Sequence, residues 1–236
     1  MAASVTDQIG EGNASASTTL ETSASITPTG SNKVLYVLVG TGATSPGDPT
    51  AVKYASTGGS GGESLTLLDS VRTIATFVKT SVWKLVGPSA SSGTIHATFA
   101  ASNDERWIIA VAVQDADGTE NTIAYNTASA STSATVDATS VSGDLVLAFL
   151  SLLDQSGGNP QLTAGQTSVY ELESSTAGTG GIGAFESAGI ERATASGTTT
   201  TMTWTMSDTN TWGLHAFAVN GAGAPPSLPA IFGVYA

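Results

Sequence analysis

The chain has no cysteine, so neither a disulfide framework nor a thiolate metal site can hold its fold, and its composition carries no mark of a redox compartment. Basic residues are scarce: 7 Lys and Arg stand against 19 Asp and Glu, a formal net charge of -12. Such a chain cannot neutralise a row of phosphates, which excludes nucleic acid as a partner, and an anionic membrane surface repels it. Its 2 histidines, His96 and His215, lie far apart without a cysteine beside them, which speaks against a transition-metal centre. No metal and no cofactor is expected. Long hydrophobic runs are missing too. Residues 107–113 and 145–153 are the longest, far short of the ~20 residues a spanning helix requires. Met1-Ala2-Ala3-Ser4 carries neither a basic nor an apolar signal region, so the expectation is a protein made in a cytoplasm without an address.

What the chain does have is small residues. Gly, Ala, Ser and Thr make up about half of it, a bias toward short strands and turns rather than helices. Hydrophobic residues still reach 40%, too many for disorder. The composition predicts a soluble all-β protein.

One unit is written twice. The first copy runs from Gly93 through Phe99, turns at Ser102-Asn103-Asp104, and ends on the strand of residues 107–113. The second runs from Gly197 through Trp204, turns at Asp208-Thr209-Asn210, and ends on residues 212–219. In each, eight steps separate the first aromatic (Phe99, Trp204) from the second (Trp107, Trp212). Both close on Ala, then Val or Phe, then Ala-Val, with one residue slipped between. These read as two strand pairs of one kind, and they predict Trp107 and Trp212 buried at related positions.

In chain order, residues 1–31 hold few large apolar groups; a loose arm and a first strand at residues 18–21 both fit. The apolar run at 34–39 suits a strand buried on both faces. A Pro/Gly loop (41–50), a short strand (51–54) and the stretch 73–86 lead to the first repeated unit. Residues 144–150 restart the pattern, again followed by a Gly/Pro loop (156–160). Because neither half carries caps of its own, the expectation is a single antiparallel β-sandwich domain, residues 32–220, built from two similar halves with extended terminal arms. Residues 221–236 form the C-terminal arm. Pro225, Pro226 and Pro229 stiffen it, and Ile231, Phe232, Val234 and Tyr235 follow. These four, wasted in water, are the expected partner-docking residues.

No pattern discloses a reaction, and no catalytic residue is expected. Gly58 to Gly62 matches G-x-S-x-G, but that motif has meaning only on a strand–turn–helix elbow, and a glycine run reads as a loop. Asp115, Asp117 and Gly118 hint at calcium, yet the glycine falls at the fourth place of the loop instead of the sixth, and a polar turn is the plainer reading. Glu171/Glu173 and Glu186/Glu191 could pair as hydrolytic carboxylates, but lack an acid cluster with aromatic subsites and read as solvated strand residues. His96 sits on a threonine face as a surface histidine. His215 shares its parity with Phe217 and Val219 and reads as a packed, hydrogen-bonded one. The tryptophans read as core rather than as a platform for sugar rings.

Residues 34–39, Ala51-Val52-Lys53-Tyr54, Leu65-Thr66-Leu67, Val82-Trp83-Lys84-Leu85 followed by Pro88 and Gly93, and Ala112-Val113-Gln114-Asp115 run in an order that resembles the β-sandwich modules of tailed-phage virion proteins and some bacterial surface proteins. Gly165-Gln166-Thr167 with the late Trp204/Trp212 pair is similar to their closing half. The resemblance spans about residues 30–220. It implies a jelly-roll-like sandwich used for attachment or reinforcement, and no catalytic residues. The implied role is a phage capsid decoration (cement) protein on the head surface. Its partners would be the major capsid protein and copies of itself, a trimer being favoured. A glycan-binding module of a tail fibre or cell surface is the alternative, and a concanavalin-like hydrolase a third.

Overall fold

The computed structural model describes residues 2–13, 15–43, 45–56, 58–74, 76–153, 161–172 and 187–223. Among them the regular elements are all strands, paired antiparallel and packed sheet on sheet. The first half comprises β1 (Ser4–Asn13), β2 (Ser17–Glu21), β3 (Val34–Gly42), β4 (Pro49–Ala55), β5 (Glu63–Ser64), β6 (Thr66–Leu67), β7 (Arg72–Ile74), β8 (Val78–Val86), β9 (Thr94–Asn103) and β10 (Glu105–Gln114). β11 (Ala116–Glu120) links it to the second half: β12 (Ala124–Thr139), β13 (Leu145–Leu153), β14 (Leu162–Ala164), β15 (Thr167–Leu172), β16 (Ala188–Thr194) and β17 (Thr199–Gly221).

Both halves wind in the same way. In the first, β1 pairs with β10, β10 with β3 and β3 with β8, forming an inner sheet; β2 pairs with β9, β9 with β4 and β4 with β5, forming an outer one. In the second, the start of β12 pairs with the end of β17, β17 with β13 and β13 with β16. The end of β12 pairs with the start of β17, and that part of β17 with β14. β12 and β17 thus each serve two layers, where the first half uses separate strands. β12 makes its bend at a register shift between Ala128 and Ser133, with Ala130 at positive φ. A bulge of this kind re-aims a strand without ending it.

Layering follows from the strand patterns. Along β3 and β10 every residue from Val34 to Val39 and from Trp107 to Val113 is buried, because these strands are covered on both faces. One face (Leu35, Val37, Ile108, Ala110) packs on the outer sheet with Val52, Tyr54, Ile95 and Phe99. The other (Tyr36, Leu38, Trp107, Ile109) meets Leu147, Phe149, Ile190 and Phe217 of the second half. A third core, with Trp204, Trp212, Met202 and Leu214, lies under the outer layer of the second half. Each half is therefore a two-layer sandwich, and the inner sheets are joined face to face. Tyr36 and Phe217 meet at 5.2 Å, and Phe149 stacks on Phe217 at 5.9 Å.

The structure bears on two expectations. Of the loose arm and the first strand that both fit residues 1–31, the strand is found: residues 4–13 and 17–21 are strands of the inner and outer sheets, so the fold does not begin at residue 32. Of their few apolar side chains, Ile9 and Leu20 are buried and Val5 packs half-buried against the central core, and ladder hydrogen bonds do the rest. The two halves also do not share one sandwich. Each closes its own outer core, so the caps missing from the sequence are replaced by the central apolar face.

Trp107 and Trp212 are both buried, at 2% and 3% exposure, but on opposite faces. Pairing aligns Val34 with Val113 and Leu145 with Val219. Counting back from those rungs, Trp107 corresponds to Gly213, and Trp212 to Arg106. The extra residue in the second copy shifts the register by one, which carries a side chain through the sheet. Trp107 points into the central core, and Trp212 into the outer one.

Candidate functional site

Polar residues are buried at the seam between the halves. Thr80 on β8 and His215 on β17 are both fully buried, with Oγ1 and Nε2 2.9 Å apart. Tyr125 covers the imidazole at 4.8 Å, Arg72 lies over the Tyr125 ring, and Asp69 pairs with Arg72 at 2.5 Å. Burial holds His215 neutral and pushes its pKa down to about 3. Although burial opposes it, hydrogen bonds from Arg72 and the Ser70 N–H keep the Asp69 carboxyl below its usual range. The Thr80–His215 distance is that of a nucleophile and its base, but no third group orients the ring: Nδ1 has no partner among the described residues. A fully buried pair cannot meet a substrate. It is a packed, hydrogen-bonded core histidine.

Beside the seam lies a groove of about 400 Å³ bordered by Leu68, Asp69, Arg72, Glu120, Asn121 and Ile123. Its ionic groups are already engaged. Lys84 Nζ donates to Glu120 Oε2 at 2.5 Å and to the Gly118 carbonyl at 2.8 Å, and Tyr36 Oη donates to Glu120 Oε1 at 2.6 Å. Burial, then the charge of Glu120, pushes the Tyr36 phenol up, so it stays a donor.

The same contacts engage the oxygens of the calcium candidate. Asp117 Oδ1 accepts from the Thr119 N–H and hydroxyl, closing a local turn. The Gly118 carbonyl and the Glu120 carboxylate, the oxygens a cation in this loop would use, already face the Lys84 ammonium. Among the described residues no group of three or more His, Asp or Glu is placed to hold a metal. Excess EDTA is therefore expected to leave the melting temperature within about a degree of its starting value; a fall of several degrees would restore the calcium site.

The remaining sequence candidates fall apart in space. Gly59 donates its N–H to Glu21 Oε1 at 2.8 Å, and Thr94 donates to the same oxygen. These bonds hold the Glu21 carboxyl below its usual range. The Gly58–Gly62 run is thus a loop tied to the outer sheet, with a strand after it and no helix. His96 lies at the edge of that patch, Nδ1 3.6 Å from Glu21 Oε2. Glu171 is exposed and accepts from the Ser168 hydroxyl. Glu173 and Glu186 lie outside the described residues, as do Ile231, Phe232, Val234 and Tyr235. Glu191, expected in solvent, is fully buried: its strand is covered on both faces by the central and outer cores. All four tryptophans are buried, which removes them as a sugar-stacking platform.

At the start of the C-terminal arm, the Ala222 N–H donates to the Asp115 carbonyl at 2.6 Å. A second groove, of about 470 Å³, opens there between Asn32, Lys33, Val86, Gly87 and Asp117. Val86 is 53% exposed. Sequence reasoning missed this groove, which brings together three loops far apart in the chain. Compared with known protein families, curated proteins and solved structures, the chain matches none.

Proposed function

We propose that this protein is a non-enzymatic structural component of a phage virion, a capsid decoration (cement) protein that stabilises the head. The observation that carries the reading is the doubled winding. In each half the first strand pairs with the last and the second with the last but one, which supports a jelly-roll-like reading, an architecture common in capsid and lectin domains. Two such rolls joined through a continuous apolar core make a rigid block. Beside the seam, Lys84 and Glu120 are paired with each other rather than free to meet a ligand. An acidic surface suits a partner with basic or apolar docking patches. The partners are the major capsid protein and further copies of this chain, with residues Ile231, Phe232, Val234 and Tyr235 as the anchoring segment. The glycan-binding alternative shares the roll, but it lacks an exposed aromatic platform among the described residues.

The test is cosedimentation with heads assembled from the cognate major capsid protein. Saturable binding and a raised melting temperature of the heads are expected. Deleting residues 221–236 is expected to weaken binding at least tenfold while leaving the melting of the body nearly unchanged. Failure to bind heads, together with saturable binding to surface glycans, would overturn the reading in favour of the alternative.

A further inference from the structure

The rungs of the two sandwiches correspond one to one. Val37 lies between Ala110 and Trp83; Ala148 lies between Ala216 and Glu191. Glu191 thus stands where the first sandwich has an indole. Its Oε2 accepts the Gln166 N–H at 3.0 Å, and Oε1 has no partner among the described residues. The carboxyl joins β16 to the exposed Ala164–Thr167 turn that lies over it, and that turn is in turn bonded to β17 through Gly165 N–H and the Thr203 carbonyl.

Among the described residues no cation offsets the carboxyl. Its rung neighbours are Ala148 on β13 and Ser168 on β15. Arg192 is the next residue and points to the other face of the sheet. Glu171 shares the face of Glu191 through its pairing with Gly189, but it is exposed and bonded to Ser168. On the outer layer Asp137 is held by the Thr201 hydroxyl, on the solvent side. Burial raises the Glu191 pKa to about 7, partly offset by the N–H groups of Gln166, Thr203 and Gly165.

We propose that Glu191 is a proton-operated latch of the second sandwich: protonated, it clamps the Ala164–Thr167 turn onto β16 and β17, and ionised, it loosens that turn to admit water. An ionised carboxylate without a counter-charge is costly in an apolar core, and lifting an exposed turn is the shortest way to hydrate it. The folded form binds the proton more tightly than the unfolded chain. The clamp is therefore complete below pH 4.5 and weakens as pH rises through about 7. The first sandwich, with Trp83 in this place, has no such response.

Amide exchange of the full chain between pH 5 and 9, corrected for the intrinsic rate, tests this. Opening at residues 164–167 is expected to rise roughly ten- to hundredfold between pH 5 and 7 and to level off above 7, while β4 and β9 stay unchanged. Glu191→Gln, which keeps the shape and removes the charge, is expected to abolish the rise. An unchanged rise in that variant, or flat protection in the parent, would overturn the latch. Should the variant fail to fold, the ¹³C titration of the Glu191 carboxyl in the parent decides. A midpoint near 7 that tracks exchange supports the proposal, and an ordinary carboxylate midpoint refutes it.

Discussion

Trp107→Ala is expected to lower the unfolding free energy by ~3–5 kcal/mol, the cost of emptying a large aromatic site in a packed core. Gly40→Ala is expected to cost nearly as much without removing an atom. Gly40 is the rung partner of Trp107 on β3, and a methyl group added there would overlap the indole. Neither residue can retreat, because the second sandwich closes the other side with Leu153, Ile190 and their neighbours in the same core. The two substitutions share one volume, so the double variant should fall well short of their sum. Trp212→Ala should cost a comparable amount through the outer core, and it should add to Trp107→Ala almost fully, since the two indoles lie in different cores. Denaturant midpoints at constant slope give all five values. A nearly neutral Trp107→Ala, or additivity between Gly40 and Trp107, would sink the account of the central core.

How far the sequence could be read follows from the same residues. The repeat was legible because strand pairs of one kind carry the same apolar alternation, and the closing Ala-Val of each copy does mark equivalent rungs. Counting steps between aromatics was misleading. Matching Trp107 to Trp212 ignores the extra residue before Ala216, and in a strand one residue exchanges the faces. Ile109 therefore corresponds to His215, and Trp107 to Gly213, whose open space is taken by Ile74 and Tyr125. The N-terminal strands were hard to see because Ile9, Leu20 and Ile26 are few and widely spaced, and pairing rather than hydrophobicity holds them. Glu191 was illegible as a buried group: a charge in a strand reads as solvent-facing, and the turn that covers it belongs to another element. Arg106 escaped notice for the same reason. It is 3% exposed and donates to the Thr19 and Ser15 carbonyls, pinning the corner between β1 and β2. The four apolar residues of the C-terminal arm remain a reading of sequence alone.

Stability between pH 4.5 and 6.5 is expected to be nearly flat in the parent and to tilt in opposite directions when either buried titrating group is removed. His215 is held neutral by burial, its pKa brought down from 6.5 to about 3. Its contribution is full above pH 6.5 and is lost as pH falls through that range toward 3. Glu191 works the other way, its contribution full below pH 4.5 and lost as pH rises through about 7. Where the windows overlap, each group contributes a slope of at most ~1.4 kcal/mol per pH unit, of opposite sign. The structure supplies a conservative way to remove the histidine. Ile109 and Ala188 hold the positions in the opposite sandwich that correspond to His215 and Thr80, and both sit in the same central core. Thr80→Ala/His215→Ile copies that apolar pair and leaves no hydroxyl unpaired, whereas His215→Ile alone would strand the Thr80 hydroxyl at a cost of ~1–3 kcal/mol. With the double variant, stability should climb as pH falls from 7 to 4.5; with Glu191→Gln it should decline over the same range. Melting temperatures of the three proteins across pH 4–8, at fixed ionic strength, show whether the slopes part. If the double variant keeps the parent's profile, His215 titrates alike in the folded and the unfolded chain, and the balance between the two buried groups is not what levels it.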